Sequence, residues 1–169
     1  RVFEGDYFAA INKIGSEAVT VQTVKLFNGF REEITKGTFD LEDKSLKNSA
    51  YIVTSDNVGQ PDILVVSQRQ AATSGWLKAF MINEGVLYHL MFRQPDTGAK
   101  YAVTSTQTPF KAVSPMVFHS SSWSNAIGEA KGIDLRGGTY YTWMLNLTTM
   151  TFDKTDELFV PFRQPQPNW

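Results

Sequence analysis

The chain contains no cysteine, and this absence excludes two classes of small protein. Without thiols there is neither a disulfide framework nor a cysteine-based zinc site. The 16 lysines and arginines are balanced by 17 aspartates and glutamates, which gives a formal net charge of -1 at pH 7. Because no basic excess is available to neutralise phosphates, the composition argues against nucleic-acid binding.

Long apolar runs and the common ligand-binding motifs are also missing. No stretch reaches the ~20 apolar residues of a membrane helix, so we expect no membrane-spanning segment. There is no glycine-rich phosphate loop, and the acidic group Asp40, Glu42 and Asp43 lacks the glycine and the bidentate glutamate of a calcium loop. The sequence therefore predicts no bound metal and no cofactor.

What the chain does have is a large apolar content, with 42% hydrophobic and 13% aromatic residues in 169. A globular chain of this length buries about 70% of the surface that its unfolded form exposes. No repeat, linker or low-complexity block divides it. We expect one domain over residues 1–169, with an extended arm at 158–169, where three closely spaced prolines preclude a helix.

The clearest strand pattern lies between Trp76 and Thr106, where three apolar segments follow one another. Turn residues separate them at 83–85 and 95–98, and glycines there can take the positive φ that such turns need. The middle segment, Val86 to Arg93, is apolar on both faces, which is typical of a strand inside a stack of sheets. We therefore predict a three-stranded antiparallel meander in the core.

Similar patterns elsewhere predict about ten short strands and at most one or two short helical turns. Asn28-Gly29 is the strongest hairpin signal, and Pro115 puts part of the strand at 110–118 at an edge or a bulge. The fold class that we expect is all-β, an antiparallel β-sandwich with a jelly roll as one form of it. A closed barrel is less favoured, because several strands are apolar on both faces.

The chain has only two histidines, so any histidine-dependent catalysis must use one of them. His89 lies mid-strand among apolar residues and is expected to be a packed, hydrogen-bonded core residue. His119 precedes three serines, with Asp134 downstream, so the candidate catalytic residues are His119, Ser120 and Asp134. Ser121 or Ser122 could reach the imidazole, whereas Ser120 could do so only if the strand has already ended. No nucleophile elbow is present, and serine hydroxyls bonded to their own backbone are the favoured interpretation.

The His119-Ser120 pair, followed by Asp134 and by the stretch 156–161, resembles the protruding domain of insect iflavirus capsid proteins. In that family a surface domain at the end of a capsid subunit carries a proposed His-Ser-Asp constellation. The resemblance implies that His119, Ser120 and Asp134 are the matching positions. It also implies a role in engaging a receptor or a membrane at the virion surface.

A second candidate site is a group of aromatic residues interleaved with polar ones. Sugar rings are bound by aromatic rings that stack on them and by planar polar groups that hydrogen-bond to their hydroxyls. Tyr141 and Trp143 lie two apart on one strand face and are expected in the core. Tyr140 would then face outward. The predicted ligand-binding residues are Trp123, Tyr140, Asn125 and Arg136.

Two classes of function remain open from the sequence. The leading one is a non-enzymatic recognition domain that binds a glycan or a protein receptor, on a virion surface or elsewhere outside the cell. The rival is a small Ser-His hydrolase of esterase type that uses the loop at 119–134. A third option, a variant of the first, is a structural subunit that self-assembles into a shell.

Overall fold

The computed structural model describes most of the chain from residue 50 onward and four short segments before it. The described residues are 2–5, 8–11, 22–25, 37–40, 50–71, 74–102, 104–106, 108–124, 127–128, 133–134 and 136–167. Within these ranges every regular element is a strand and no helix occurs. The hairpin predicted at Asn28-Gly29 lies outside the described residues.

The prediction of an all-β fold is confirmed, with sixteen strands in the described residues. They are β1 Val2–Gly5, β2 Phe8–Ile11, β3 Gln22–Lys25, β4 Gly37–Asp40, β5 Ala50–Val53, β6 Ile63–Ala71, β7 Ser74–Asn83, β8 Val86–Arg93, β9 Lys100–Tyr101, β10 Thr104–Thr106, β11 Lys111–Ser114, β12 Val117–Ser124, β13 Ile127–Gly128, β14 Ile133–Asp134, β15 Gly137–Asn146 and β16 Thr151–Pro161. Three small sheets pair β1 with β4, β2 with β3 and β13 with β14. The other ten strands form one sheet.

The large sheet has the order β11-β12-β15-β16-β8-β7-β6-β5, with β9 added to β8 and β10 to β7. All its pairs are antiparallel except β8 with β16, where Met91–Arg93 run parallel to Thr151–Asp153. The sheet is therefore mixed, and it curls until it is nearly barrel-shaped. Its two halves face each other across one core, as the two sheets of a sandwich do.

The strand β8 joins these halves because it changes partners along its length. Its first part pairs with β7 up to Leu90, and its last residues pair with β16. After β8 the chain turns back. It pairs first with β8, through β9, and then with β7, through β10. The predicted meander is thus correct for β7 and β8 but incomplete for the third strand, which bridges both of them.

The core is an aromatic cluster with an aliphatic layer beside it. Phe92 stacks on Phe152 at 5.4 Å between ring centroids and meets Trp143 edge-on at 5.1 Å. Phe110 stacks on Phe118 at 5.3 Å. All five of these side chains are at most 1% exposed. The aliphatic layer comes from β6, β7 and β8 and comprises Ile63, Val65, Leu77, Ala79 and Leu90.

A polar cluster at the end of β8 ties the parallel pair together. Arg93 donates to both carboxylate oxygens of Asp153, with Nε to Oδ1 at 2.7 Å. Thr151 donates to the same Oδ1 at 2.7 Å, and Asn146 Nδ2 donates to Oδ2 at 3.3 Å. The hydrogen bond from Arg93 is the largest cause of a lowered pKa of Asp153. This carboxylate is therefore fully charged where β8 and β16 meet.

The glycine turns follow the sequence signals, whereas the turn at Pro115 and Met116 interrupts a segment that was predicted as one strand. Gly85 and Gly98 have the predicted positive φ, 79° and 66°. Pro115 and Met116 form the turn between β11 and β12, so the predicted strand at 110–118 is a hairpin whose first strand is an edge with a register shift. Met116 has φ 61°, a conformation that usually calls for glycine.

The C-terminal segment differs from the predicted arm at 158–169. Residues 158–161 continue β16 in the sheet, and the chain then turns at 162–164. Gln166 fixes the residues that follow, since its Nε2 donates to the carbonyls of Pro161 at 3.0 Å and Gln164 at 2.9 Å. The prolines exclude a helix as predicted, but pairing with β15 keeps the first part of this segment in the sheet.

Candidate functional site

The predicted catalytic pair, His119 and Ser120, lies in the middle of β12 and not in a loop. Because β12 continues to Ser124, the two neighbouring side chains point to opposite faces of the sheet. Ser120 is 1% exposed, and its Oγ accepts a hydrogen bond from Trp143 Nε1 at 2.9 Å. The prediction of Ser120 as a nucleophile activated by His119 is therefore wrong.

The neighbouring serines are also engaged by side chains. Ser121 is fully buried and its hydroxyl bonds to that of Thr108 at 2.9 Å. The hydroxyl of Ser122 lies 3.3 Å from that of Tyr141. These serines thus join strand to strand and strand to loop, whereas the sequence predicted a loop bonded to its own backbone.

The remaining members of the predicted triad, His119 and Asp134, lie in different sheets. His119 stands in register with Lys111 on one side and Thr142 on the other, and burial, together with the charge of Lys111, lowers its pKa. Asp134 belongs to the small sheet, where its backbone pairs with Ile127. Its side chain lies outside what the structure describes. The predicted pair of His119 and Ser120 is therefore split between the two faces of β12.

His89 is the core residue that the sequence predicts. Its Nε2 lies 2.8 Å from the carbonyl oxygen of Ala102, and its ring stacks on Phe80 at 5.0 Å. A carbonyl only accepts, so this nitrogen is the protonated donor. Burial and the charge of Lys78 lower the pKa of His89. The histidine is neutral and structural.

Trp123 is exposed, as predicted for a ligand contact. It lies at the end of β12 opposite Gly138 of β15, and 45% of its surface is accessible. Its indole meets the ring of Phe162 edge-on, with centroids 5.8 Å apart and planes at 82°. Edge-to-face is one of the two preferred arrangements of an aromatic pair.

Tyr140 does not face the solvent, contrary to the prediction. It is 4% exposed, and its hydroxyl donates to Gln166 Oε1 at 3.0 Å. The C-terminal tail covers it, and burial raises its pKa. A side chain at Gly138 would meet both the Tyr140 ring at 2.9 Å and Gln166 at 3.0 Å, so glycine keeps the tail seated. Tyr140 is thus an anchor for the tail.

The anchored tail brings a second aromatic ring to Trp123, which the sequence pattern did not predict. After Pro161 the chain places Phe162 beside the indole, and the Phe162 amide donates to the carbonyl of Arg136 at 3.2 Å. A groove of about 280 Å³ is lined by Arg136, Pro161, Phe162 and Arg163. The sequence signal for this part of the site is an aromatic residue followed by an arginine, between Pro161 and Pro165.

We call the exposed residues Trp123, Phe162, Arg136 and Arg163 the aromatic–arginine patch. It presents an indole face, the ring of Phe162 and two guanidinium-bearing side chains at one end of the sheet. Arg136 is exposed, and Asn125 lies outside the described residues. This set can stack on a flat ligand and pair with an anion.

The described residues hold no group of three histidine, aspartate or glutamate side chains that could bind a metal ion. Across the same ranges, no helix is long and apolar enough to cross a membrane.

Comparison of the chain with models of protein families, with curated proteins and with solved structures finds no match.

Proposed function

We propose that this chain is a non-enzymatic recognition domain that binds an acidic glycan through the aromatic–arginine patch. The observation that carries the proposal is Trp123, an exposed indole in edge-to-face contact with Phe162. An aromatic face that is already positioned loses little entropy when a ligand stacks on it.

The two arginines favour an acidic ligand over a neutral one. Arg136 and Arg163 line the same groove beside Phe162. A planar guanidinium can make two parallel hydrogen bonds to a carboxylate or a sulfate, and it stacks on rings as well. A sugar with one acidic group can therefore place its ring on Trp123 and its charge in the groove.

The tail supplies half of this patch, which makes the proposed site depend on the fold around Tyr140. The hydrogen bond from Tyr140 to Gln166 and the two from Gln166 to the backbone hold residues 162–166 in place. These hydrogen bonds restrict the tail, and a restricted segment suits specific recognition.

We further propose that the domain works on the outside of a virion or a cell, as the resemblance to capsid protruding domains implies. In that setting the patch engages a receptor glycan. The hydrolase alternative has no support in the described geometry, since Ser120 is buried against Trp143. A protein receptor in place of a glycan is an outcome of the test below.

The proposal is tested by screening the chain on an array of paired neutral and acidic glycans. We expect saturable binding to carboxylated or sulfated members and weaker binding to their neutral counterparts. Arg163→Gln should weaken binding about tenfold or more, the scale of one charge-assisted hydrogen bond, whereas Lys100→Gln should not. Lys100 is an exposed cation on β9 and serves as the matched control.

Failure to bind any acidic glycan, or equal binding by wild type and Arg163→Gln, would contradict the proposal. If the array shows no glycan binding while a cell-surface protein is captured in a manner sensitive to Arg163→Gln, the ligand is a protein receptor.

A further inference from the structure

The nearly closed sheet leaves a seam between its two edge strands, β5 and β11. Within the described residues no ladder of backbone hydrogen bonds joins these strands. Residues of both line an open groove of about 470 Å³, with Tyr51 and Val53 on one side and Phe110 and Ala112 on the other. We call this groove the seam.

Side chains bridge the seam where the backbones do not. The Tyr51 hydroxyl donates to the carbonyl of Phe110 at 3.1 Å, and burial raises the pKa of this hydroxyl. At one end, the Met116 amide donates to Gln60 Oε1 at 2.7 Å. Tyr51 is itself packed against the core, so its hydrogen bond crosses the seam on the inner side of the sheet.

The directions of the two edges suit one additional strand. The path from β5 to β11 contains six antiparallel pairs and one parallel pair, so β5 and β11 run in the same direction. A single inserted segment can therefore be antiparallel to both, which is the more stable arrangement. An edge strand of a second folded copy would not fit between β5 and β11, because one of its two sides is already paired within its own sheet.

Charges mark the two ends of the seam. Lys111 is exposed at the start of β11, and Asp56 is exposed just past the end of β5. A segment antiparallel to both strands would begin near Asp56 and end near Lys111. Its first residue should then be basic and its last acidic. Exposed Ile52 and Val113 flank the seam, so β-branched residues suit the segment between these ends.

We propose that the seam binds one extended peptide segment of a partner protein, with a basic residue at its N-terminal end and an acidic one at its C-terminal end, as an added strand between β5 and β11. The backbone groups of the two edges would supply affinity, and the two end charges would supply direction. This site is separate from the aromatic–arginine patch and does not depend on the proposed glycan function.

The test uses the labelled hexapeptide Lys-Val-Thr-Val-Thr-Glu and its charge-reversed partner Glu-Val-Thr-Val-Thr-Lys. We expect the first to bind with a Kd below about 1 mM and at least threefold more tightly than the second, as two rim ion pairs predict. In the double variant Asp56→Lys with Lys111→Glu, the preference should reverse. Amide hydrogen exchange should slow in β5 and β11 together.

Two controls make the outcome specific. The first peptide with its backbone amides N-methylated should not bind, because it cannot pair with the strand edges. Trp123→Ala should bind the peptide as the wild type does. Absence of saturable binding by either peptide, an unreversed preference in the double variant, or protection of a single edge would overturn the proposal.

Discussion

Two tryptophans only one strand apart have opposite environments. Trp143 on β15 is 1% exposed, surrounded by the aromatic core, and its indole N–H bonds to Ser120. Trp123 on β12 is 45% exposed and touches Phe162, which is itself on the surface. The first indole is enclosed by the core, and the second is accessible from the solvent. Burial thus separates a tryptophan that holds the fold from one that the proposed function can use.

The largest expected effect lies in the core, where Phe92 contacts three other aromatic rings. Phe92→Ala should lower the free energy of unfolding by about 3–5 kcal/mol, because it leaves a cavity that the packed sheet cannot fill. Phe159→Ala removes the same ring from a side chain that is 42% exposed and should cost less than about 1 kcal/mol. Urea denaturation measures both, and equal losses would show that the cluster is not the core.

A smaller effect is expected at the hydrogen bond that distinguishes the buried indole. Ser120→Ala leaves the Trp143 N–H without its acceptor in a dry environment, which should cost about 1–3 kcal/mol. Ser122→Ala is the matched control, since that hydroxyl makes a longer contact of 3.3 Å with Tyr141. If Ser122→Ala destabilises the protein as much as Ser120→Ala does, the buried bond has no special role.

Acidification should weaken the fold, because the pKa of both His89 and His119 is lowered in the native state. Between the native pKa and the unfolded value of about 6.5, the unfolded chain binds more protons, so stability rises with pH. The stability that the two neutral histidines contribute is present above this pH range and is lost as the pH falls through it. His89→Gln should make stability less dependent on pH between about 7 and 5. A pH series of thermal melts checks this, and an unchanged slope would contradict it.

The sequence predicted those features of the fold that depend on neighbours along the chain. Period-two apolar patterns and turn glycines located β7 and β8 at 74–83 and 86–93. The parallel pairing of β8 with β16 could not be predicted. It joins Phe92 to Phe152, sixty residues apart, and no turn signal specifies such a contact.

The candidate site was predictable only in part, for the same reason. Trp123 and Arg136 follow from residue type and position, and the structure leaves both exposed. Tyr140 was assigned to the surface because it alternates with Tyr141, but Gln166, 26 residues later, covers it. Ser120 failed as a nucleophile because the serines extend a strand in place of starting a loop. Both errors arise from tertiary contacts that override a local pattern.

The affinity of Trp123→Ala for the acidic glycan selected on the array tests the central claim most directly. We expect this variant to lose about 1–3 kcal/mol of binding free energy, as aromatic anchors do, and to unfold within about 0.5 kcal/mol of the wild type. Both quantities are measured on one preparation, by calorimetric titration and by urea denaturation. Unchanged affinity, with Trp123 removed and the fold intact, would contradict the assignment of this patch as the recognition surface.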